Sequence, residues 1–474
     1  MDTDFDVEHY CCQSVVWVLS DRELILFGPD NVKHSIDAEP ARLYSLRATL
    51  SETLRNTLQT TTRSKNALRG LFIGDALSMP VHWFYRSADI FKAFPPHGIT
   101  QMQAAPDSHP GSIMSLHSQQ RGGRSSVSKE PLPPVVGSVI LRGRQGYWDR
   151  PGVHYHHGMP AGENTLNAWC ARLMLQWIAA QRAYDADAWL AAYIEFMTAD
   201  PPRHPDTYAE SYHREFFANW QQGVDPARCG GITHDTPSMG ALVTVAPLAL
   251  ALLRRRIGEI VAATEKVTTG KSVAAKEHGV VNAAEDALGE VQEICCRHVF
   301  LTHPDTQLSR VVAAYVALLY QLVWTDAPPQ ELFLEASKAA GGNGIVPADL
   351  TGKRGDAAIV GGRYSLACYI TDSWPSVCYL AARYWASPQA GLVANTNLGG
   401  ENAHRGAVLG TLLGTIVSDD HEYSHQDGNE RQGADSSESE SDSATAGFRS
   451  LFRQLRHHVA LEGEITDWSN SVAN

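Results

Sequence analysis

Four polar clusters carry the residue types that could do chemistry. In GLFIGDALSMPVHWFY, Asp75 sets a carboxylate in an apolar stretch, while Gly70 and Gly74 leave one helix face thin. A buried carboxylate is costly unless it is partnered, so Asp75 is either a cap or core-pairing residue or part of a site. In HYHHGMPAGENTLNAW, Glu163, Asn164 and Thr165 open a helix behind His154, His156 and His157. Helix capping accounts for Asn164 or Thr165 but leaves Glu163 unexplained, and a solvated loop is the alternative for the histidines. In NTNLGGENAHRGAVLG, Gly399 and Gly400 form a tight loop before Glu401, Asn402, His404 and Arg405. Helix N-termini attract anions, which suits Arg405 and the glycine loop to a phosphate. Ser238 in HDTPSMGALVTVAPLAL and His303 in LTHPDTQLSR stand at two further helix starts. Carboxylates with amide, hydroxyl and imidazole neighbours ligate divalent metals or activate water. The four clusters are expected to face one cavity.

The elements that must bring them together are helical. From Asn66 onward the apolar spacing is that of helices. Leu166, Trp169, Cys170, Leu173 and Trp177 form one stripe. VVAAYVALLYQLVW is apolar almost all round and is expected to be buried on every side. In GAVLGTLLGTIV, Gly406, Gly410 and Gly414 recur every fourth residue, so another backbone can approach that helix closely. Before this body, QSVVWVLS and DRELILFG flank a polar turn at Ser20 to Glu23 and read as a small β-hairpin. Polar insertions are expected over Pro106 to Arg150, around Lys266 to Glu285, and over Asp419 to Gly447, whose SSESESDS core is too polar to pack and reads as disordered. The organisation read from the sequence is an N-terminal extension over 1–60 and one large all-α domain over 61–474, with an acidic insert at 419–447.

Composition bounds the partners. In 474 residues, 43% hydrophobic and 19% charged, the apolar content is sufficient to close a large core. Asp and Glu outnumber Lys and Arg by 52 to 39, a net charge of -13 that argues against phosphate-backbone binding and hence against nucleic acid. The eight cysteines lack CxxC spacing and read as reduced thiols. The start MDTDFDVEHY has no basic, apolar leader, and no apolar run reaches the roughly 20 residues of a membrane span. No membrane partner and a cytoplasmic location are the expectations.

Taken in this order and with these spacings, the segments from Asn66 to Val417 resemble the ADP-ribosylglycohydrolase family. The first family motif, roughly GxxxGDALGxPxE, is matched by Gly70, Gly74, Asp75, Ala76, Leu77 and Pro80, with His82 where glutamate is usual. A Ser/Thr-Asp-Asp-Thr run corresponds to Gly162, Glu163, Asn164 and Thr165. The last motif, GGDxDT, corresponds to Gly399 through His404, with Glu401 at one acidic position and Ala403 at the other. Thr244 to Leu248 and Thr302 to Pro304 match as well, and MPVHW, GENTLN and GGENxHRG together are similar to a divergent branch of the family.

The resemblance implies an all-α fold whose cleft holds two magnesium ions, ADP-ribose and a water that cleaves the glycosidic bond through an oxocarbenium-like state. It implies catalytic roles for Asp75, Glu163 and Glu401, and substrate contacts by His82, Ser238, His303, Gly399, Gly400 and Arg405. Metal ligation would fall to Glu163, Asn164, Thr165, Glu401, Asn402 and His404. Asn164 and Ala403 remove negative charge and His404 adds nitrogen. The expectation is therefore at most one ion per chain, manganese or zinc in preference to magnesium, with no metal as the alternative. The expected substrate is a small molecule or an ADP-ribosylated protein. The alternatives to hydrolysis are an ADP-ribose-binding module and a structural, crystallin-like protein.

Overall fold

The computed structural model describes the backbone of residues 8–12, 15–19, 24–27, 33–36, 40–123, 132–233, 235–266, 273–351, 355–417 and 440–472. Side chains are described from residue 56 onward, apart from 264–282 and 440–444. The chain divides into two units, Met1–Thr61 with Asn474, and Thr62–Ala473. In the first, the strands Glu8–Cys12, Val15–Leu19, Leu24–Phe27 and Lys33–Ile36 pair antiparallel in sequence order. The turn expected at Ser20 to Glu23 lies outside the described residues.

The second unit is built from helices, and two glycine faces decide its centre. The helix Asn402–Gly414 is buried along its whole length and runs antiparallel to the C-terminal part of the helix Pro40–Ser78. Gly406 meets Gly74, Gly410 meets Gly70 and Gly414 meets the backbone of Asn66, so closely that a methyl built on any of these glycines would overlap the opposing carbonyl. Ridges of larger side chains hold helices about 8–10 Å apart. Glycine every fourth residue removes the ridge, and the two backbones touch. The thin face read at Gly70 and Gly74 and the repeat at Gly406, Gly410 and Gly414 are thus the two halves of one contact.

Around this pair the helix Leu166–Gln181 packs on His458–Ser471 and on Val245–Lys266. Arg172 pairs with Glu464, and Arg69 pairs with Glu462 at 2.9 and 2.6 Å, tying the C-terminal helix to the body. The apolar helix Thr306–Trp324 is long enough by composition to cross a membrane, and half of its most apolar window is buried within the protein. It is not buried on every side: Ala313, Ala314, Ala317 and Tyr320 are half-buried and Gln321 is exposed. Cys170, Cys229, Cys295 and Cys378 are buried free thiols.

Two insertions differ from the reading of the sequence. The helix Val273–Phe300 spans most of Lys266 to Glu285, where alanines at 274, 275, 283 and 284 supply helix propensity that outweighs the polar content. A helix also begins at Glu440 and runs to Arg453, taking the end of the acidic insert. Acidic residues at a helix N-terminus complement its dipole. Residues 419–439 of that insert lie outside the described residues.

Candidate functional site

The site grows from the end of the first long helix. After Ser78 the chain tightens into a turn, Met79–Val81, and His82 caps it. Trp83 then adopts φ 63°, in the left-handed region that a bulky residue enters only when its surroundings enforce it. The enforcing contacts come from the glycine loop: Trp83 N donates to Gly400 O and Gly400 N donates to Phe84 O, both at 2.8 Å. Gly399 and Gly400, at φ 76° and 66°, are the residues that permit this close pairing, since a Cβ on either would strike the carbonyl of Phe84 or Leu366. The loop delivers Glu401 directly beside His82.

From there a buried polar chain crosses the core. His82 Nε2 lies 3.2 Å from Glu401 Oε1, and Trp83 Nε1 donates to Glu401 Oε2 at 2.5 Å. His82 Nδ1 meets His156 Nε2 at 2.8 Å, and His156 Nδ1 meets Asp206 Oδ1 at 2.8 Å. On the other side, His404 Nδ1 touches Glu401 and stands 3.4 Å from Glu210 Oε1. Asn167 Nδ2 donates to Glu210 at 2.9 Å, and Asn167 Oδ1 accepts from Tyr212 and faces His213 at 2.8 and 3.0 Å. His82, Trp83, His156, Asp206, Tyr208, Glu210 and His404 line part of a cavity of about 10 Å³, the space of roughly one water. A larger cavity of about 1010 Å³ lies elsewhere, beside Tyr184, Arg255, Arg256 and Arg297. Those arginines are paired with Glu259, Glu290 and Glu293, so convergence of buried titratable groups, not size, marks the site.

Two carboxyls at this place are driven apart. Burial alone would raise Glu401, but the imidazoles of His404 and His82 hold it well below the usual carboxylate range. Burial pushes Glu210 up to about 7, with His404 pulling the other way. His404 itself, against the effect of burial, is pushed up to about 10 by Glu210 and Glu401, while burial takes His82 down to about 3.

The expected site residues separate into those the fold brings together and those it does not. Glu401 and His404 meet, and His82 joins them. Asp75 is fully buried, and its carboxylate accepts from Thr165 N at 2.8 Å, Thr165 Oγ1 at 2.6 Å and Asn164 Nδ2 at 2.9 Å. With Asp206 accepting from Leu166 N at 2.7 Å, it caps the helix Leu166–Gln181 from outside. Asn164 and Thr165 are thereby spent on Asp75. Glu163 turns away, toward Trp169 and His457, each at 3.2 Å, and toward Arg456. Arg405 does not line the small cavity. It is fully buried, bonding Asn395 Oδ1 at 2.7 Å and Gly399 O at 2.9 Å, where a cation offsets the carbonyl end of the helix Pro388–Leu398. Asn402 Nδ2 donates to Thr396 O at 2.9 Å. Ser238 is buried in a bridge to Tyr369, and His303 is buried against Tyr212; neither lines the small cavity.

Asp206, Glu210 and Trp83 escape the reading of the sequence. Asp206 and Glu210 stand four apart in HPDTYAES with no helix periodicity behind them, and only the density of acids and histidines could have pointed to that segment. The carboxylate-rich set that paired magnesium requires is not assembled: Asp75 caps a helix, Glu163 faces away, and Ala403 offers no ligand. The residues present do not fit two magnesium ions.

Buried neutral histidines make the fold acid-labile. Burial takes His298 and His204 down to about 4, His303 to about 3, and His213 well below its ordinary value. Each must gain a proton on unfolding below about pH 6.5, so the unfolded state binds more protons and stability falls as pH drops from 6.5 toward the folded values. His404, Glu210 and Asp75 act in the opposite sense, since a raised value adds stability that is complete below the unfolded value, but they are outnumbered by the buried histidines held down, which include His82, His109 and His154. The guanidinium unfolding midpoint is expected to be clearly lower at pH 5 than at pH 7. An unchanged or higher midpoint at pH 5 contradicts this.

The ADP-ribosylglycohydrolase family model matches residues 56–419, most of the chain. No curated protein matches the chain. A solved ADP-ribosylglycohydrolase-related protein complex is similar at 15% identity over 87% of this chain and 99% of that chain, with a TM-score of 0.45.

Proposed function

The chain belongs to the ADP-ribosylglycohydrolase family, and from that premise we propose that it hydrolyses an N- or O-glycosidic bond of an ADP-ribosyl or related substrate. The observation that carries the proposal is Glu401. It stands at the acidic position of the family's last motif, fully buried and held as an anion by His82 and His404, beside Glu210, whose carboxyl is pushed up to about 7. Two carboxyls pushed apart in this way divide the work of glycoside cleavage. The Glu401 anion would stabilise the positive charge growing at the anomeric carbon, and Glu210 would give a proton to the departing group; water would then add to the anomeric carbon and give its proton to the Glu210 carboxylate, restoring the acid. Asp75 acts through the helix it caps, by holding Thr165 at the wall of the cavity. Gly399 and Gly400 act by setting the position of Glu401.

One observation favours a second reading, a structural protein without turnover. The space beside His404 is only about 10 Å³, far smaller than the 300 Å³ or more of typical ligand pockets. The same experiment separates the readings. The full chain is incubated with ADP-ribosylated arginine and serine peptides and with small-molecule ADP-ribosyl esters, and released ADP-ribose is measured by mass spectrometry, with ADP-ribose binding followed by calorimetry. Release above the uncatalysed rate supports hydrolysis. Binding without release supports the binding module, and neither supports the structural role.

A further inference from the structure

A proton count at the centre of the polar chain leaves one positive charge to be supplied, by a third proton or by a metal ion. Three contacts, of 2.8, 2.8 and 3.2 Å, join Asp206, His156, His82 and Glu401 in a line. Carboxylates at both ends only accept, so each of the three contacts needs one hydrogen, and two neutral imidazoles supply two. His404 brings its Nδ1 against the same Glu401 oxygen without the alignment of a hydrogen bond, although it is buried. We propose that His82 Nε2, Glu401 Oε1 and His404 Nδ1 bind one transition-metal dication of the zinc type, in place of the paired magnesium of the family.

The three ligand atoms lie within 4.8 Å of one another, and tetrahedral zinc with bonds of about 2.0–2.1 Å separates its ligands by roughly 3.3 Å. Two imidazoles and one carboxylate form a ligand set that zinc accepts and magnesium, which demands oxygen, does not. With the ion on Nε2, the count closes: His82 Nδ1 donates to His156 Nε2, and His156 Nδ1 donates to Asp206. That arrangement is the usual support of a metal-bound histidine, in which the far nitrogen is fixed by a hydrogen bond to an outer partner. Glu401 sets a negative charge against the ion, and Glu210 stands 3.4 Å from His404 on the far side. His82, His404 and Glu210 border the cavity that holds about one water, as an open position of the site requires.

The proposal does not depend on hydrolysis, because binding is read directly. The full chain is stripped with chelator, dialysed against zinc or magnesium, and assayed for metal by mass spectrometry. Cobalt substitution is read by visible absorption. The expected result is one zinc per chain, no retained magnesium, and cobalt bands of a four- or five-coordinate site. His82→Gln and His404→Gln should each weaken zinc at least tenfold, and Asp206→Asn, which acts only by positioning, should weaken it about 10- to 100-fold. Because these residues are buried, circular dichroism checks each variant. The wild type gives an independent readout, since its thermal midpoint should rise with zinc and not with magnesium. A folded wild type that retains no zinc and shows no cobalt bands overturns the proposal. So does zinc retained undiminished by both histidine variants, or two magnesium ions per chain.

Discussion

Glu401→Gln is expected to be the most damaging single isosteric change in this protein, lowering ADP-ribosyl hydrolysis by on the order of 10²- to 10⁴-fold. It should also cost about 3–5 kcal/mol of stability, the scale of breaking a buried ion pair by removing one partner. The reason is local. Glu401 is wholly buried, accepts from Trp83 and stands directly against the ring nitrogens of His82 and His404. An amide in its place carries no charge to balance His404, and it presents one NH₂ group to a neighbour that also donates. Urea unfolding gives the stability term, and initial rates of ADP-ribose release give the other. Glu163→Gln is the matched comparison, because that carboxylate bonds Trp169 and His457 on another side of the helix start. Equal losses of activity from the two variants would contradict the placement of the chemistry at Glu401.

Gly410→Val should unfold or severely weaken the protein, with a loss of at least about 3 kcal/mol, the upper part of the range for overpacking a core. The new side chain would overlap the backbone carbonyl of Gly70, and neither helix can yield locally, because Gly74 and Gly406 are in the same close contact one turn away. The only relief is to move the helices apart. That shift would carry Glu401 and His404 on one helix away from His82 at the end of the other, so activity should fall with stability. Gly258→Ala supplies the contrast. It is an exposed glycine in the helix Val245–Lys266 with nothing within 4 Å of an added Cβ, so it should leave stability unchanged or raise it by up to about 1 kcal/mol. Denaturation midpoints of the two variants test the argument. A Gly410→Val protein as stable as the wild type would show that the glycine contact does not hold the core together.

By itself the sequence determined the helical class of the main body, the family, and the two glycine faces, because those features are periodic and local. Spacing of four in Gly70 and Gly74, and in Gly406, Gly410 and Gly414, is a property of each helix alone. So too the glycine pair at Gly399 and Gly400 announces a backbone that must turn with positive φ. Side-chain direction is a different matter. Asp75 and Glu163 carry the right chemistry in the right order, yet one is turned to cap the helix Leu166–Gln181 and the other points toward the C-terminal helix. Arg405 follows Glu401 by four residues but is drawn to the carbonyl end of the neighbouring helix. Asp206 and Glu210 enter the centre from a segment without any pattern, because only the packing of the helix starts decides which buried imidazole each carboxylate must neutralise. A buried charge is placed by its partner, and in this protein the partners lie 74 positions away for His82 and His156 and 319 for His82 and Glu401, at distances along the chain that no local pattern encodes.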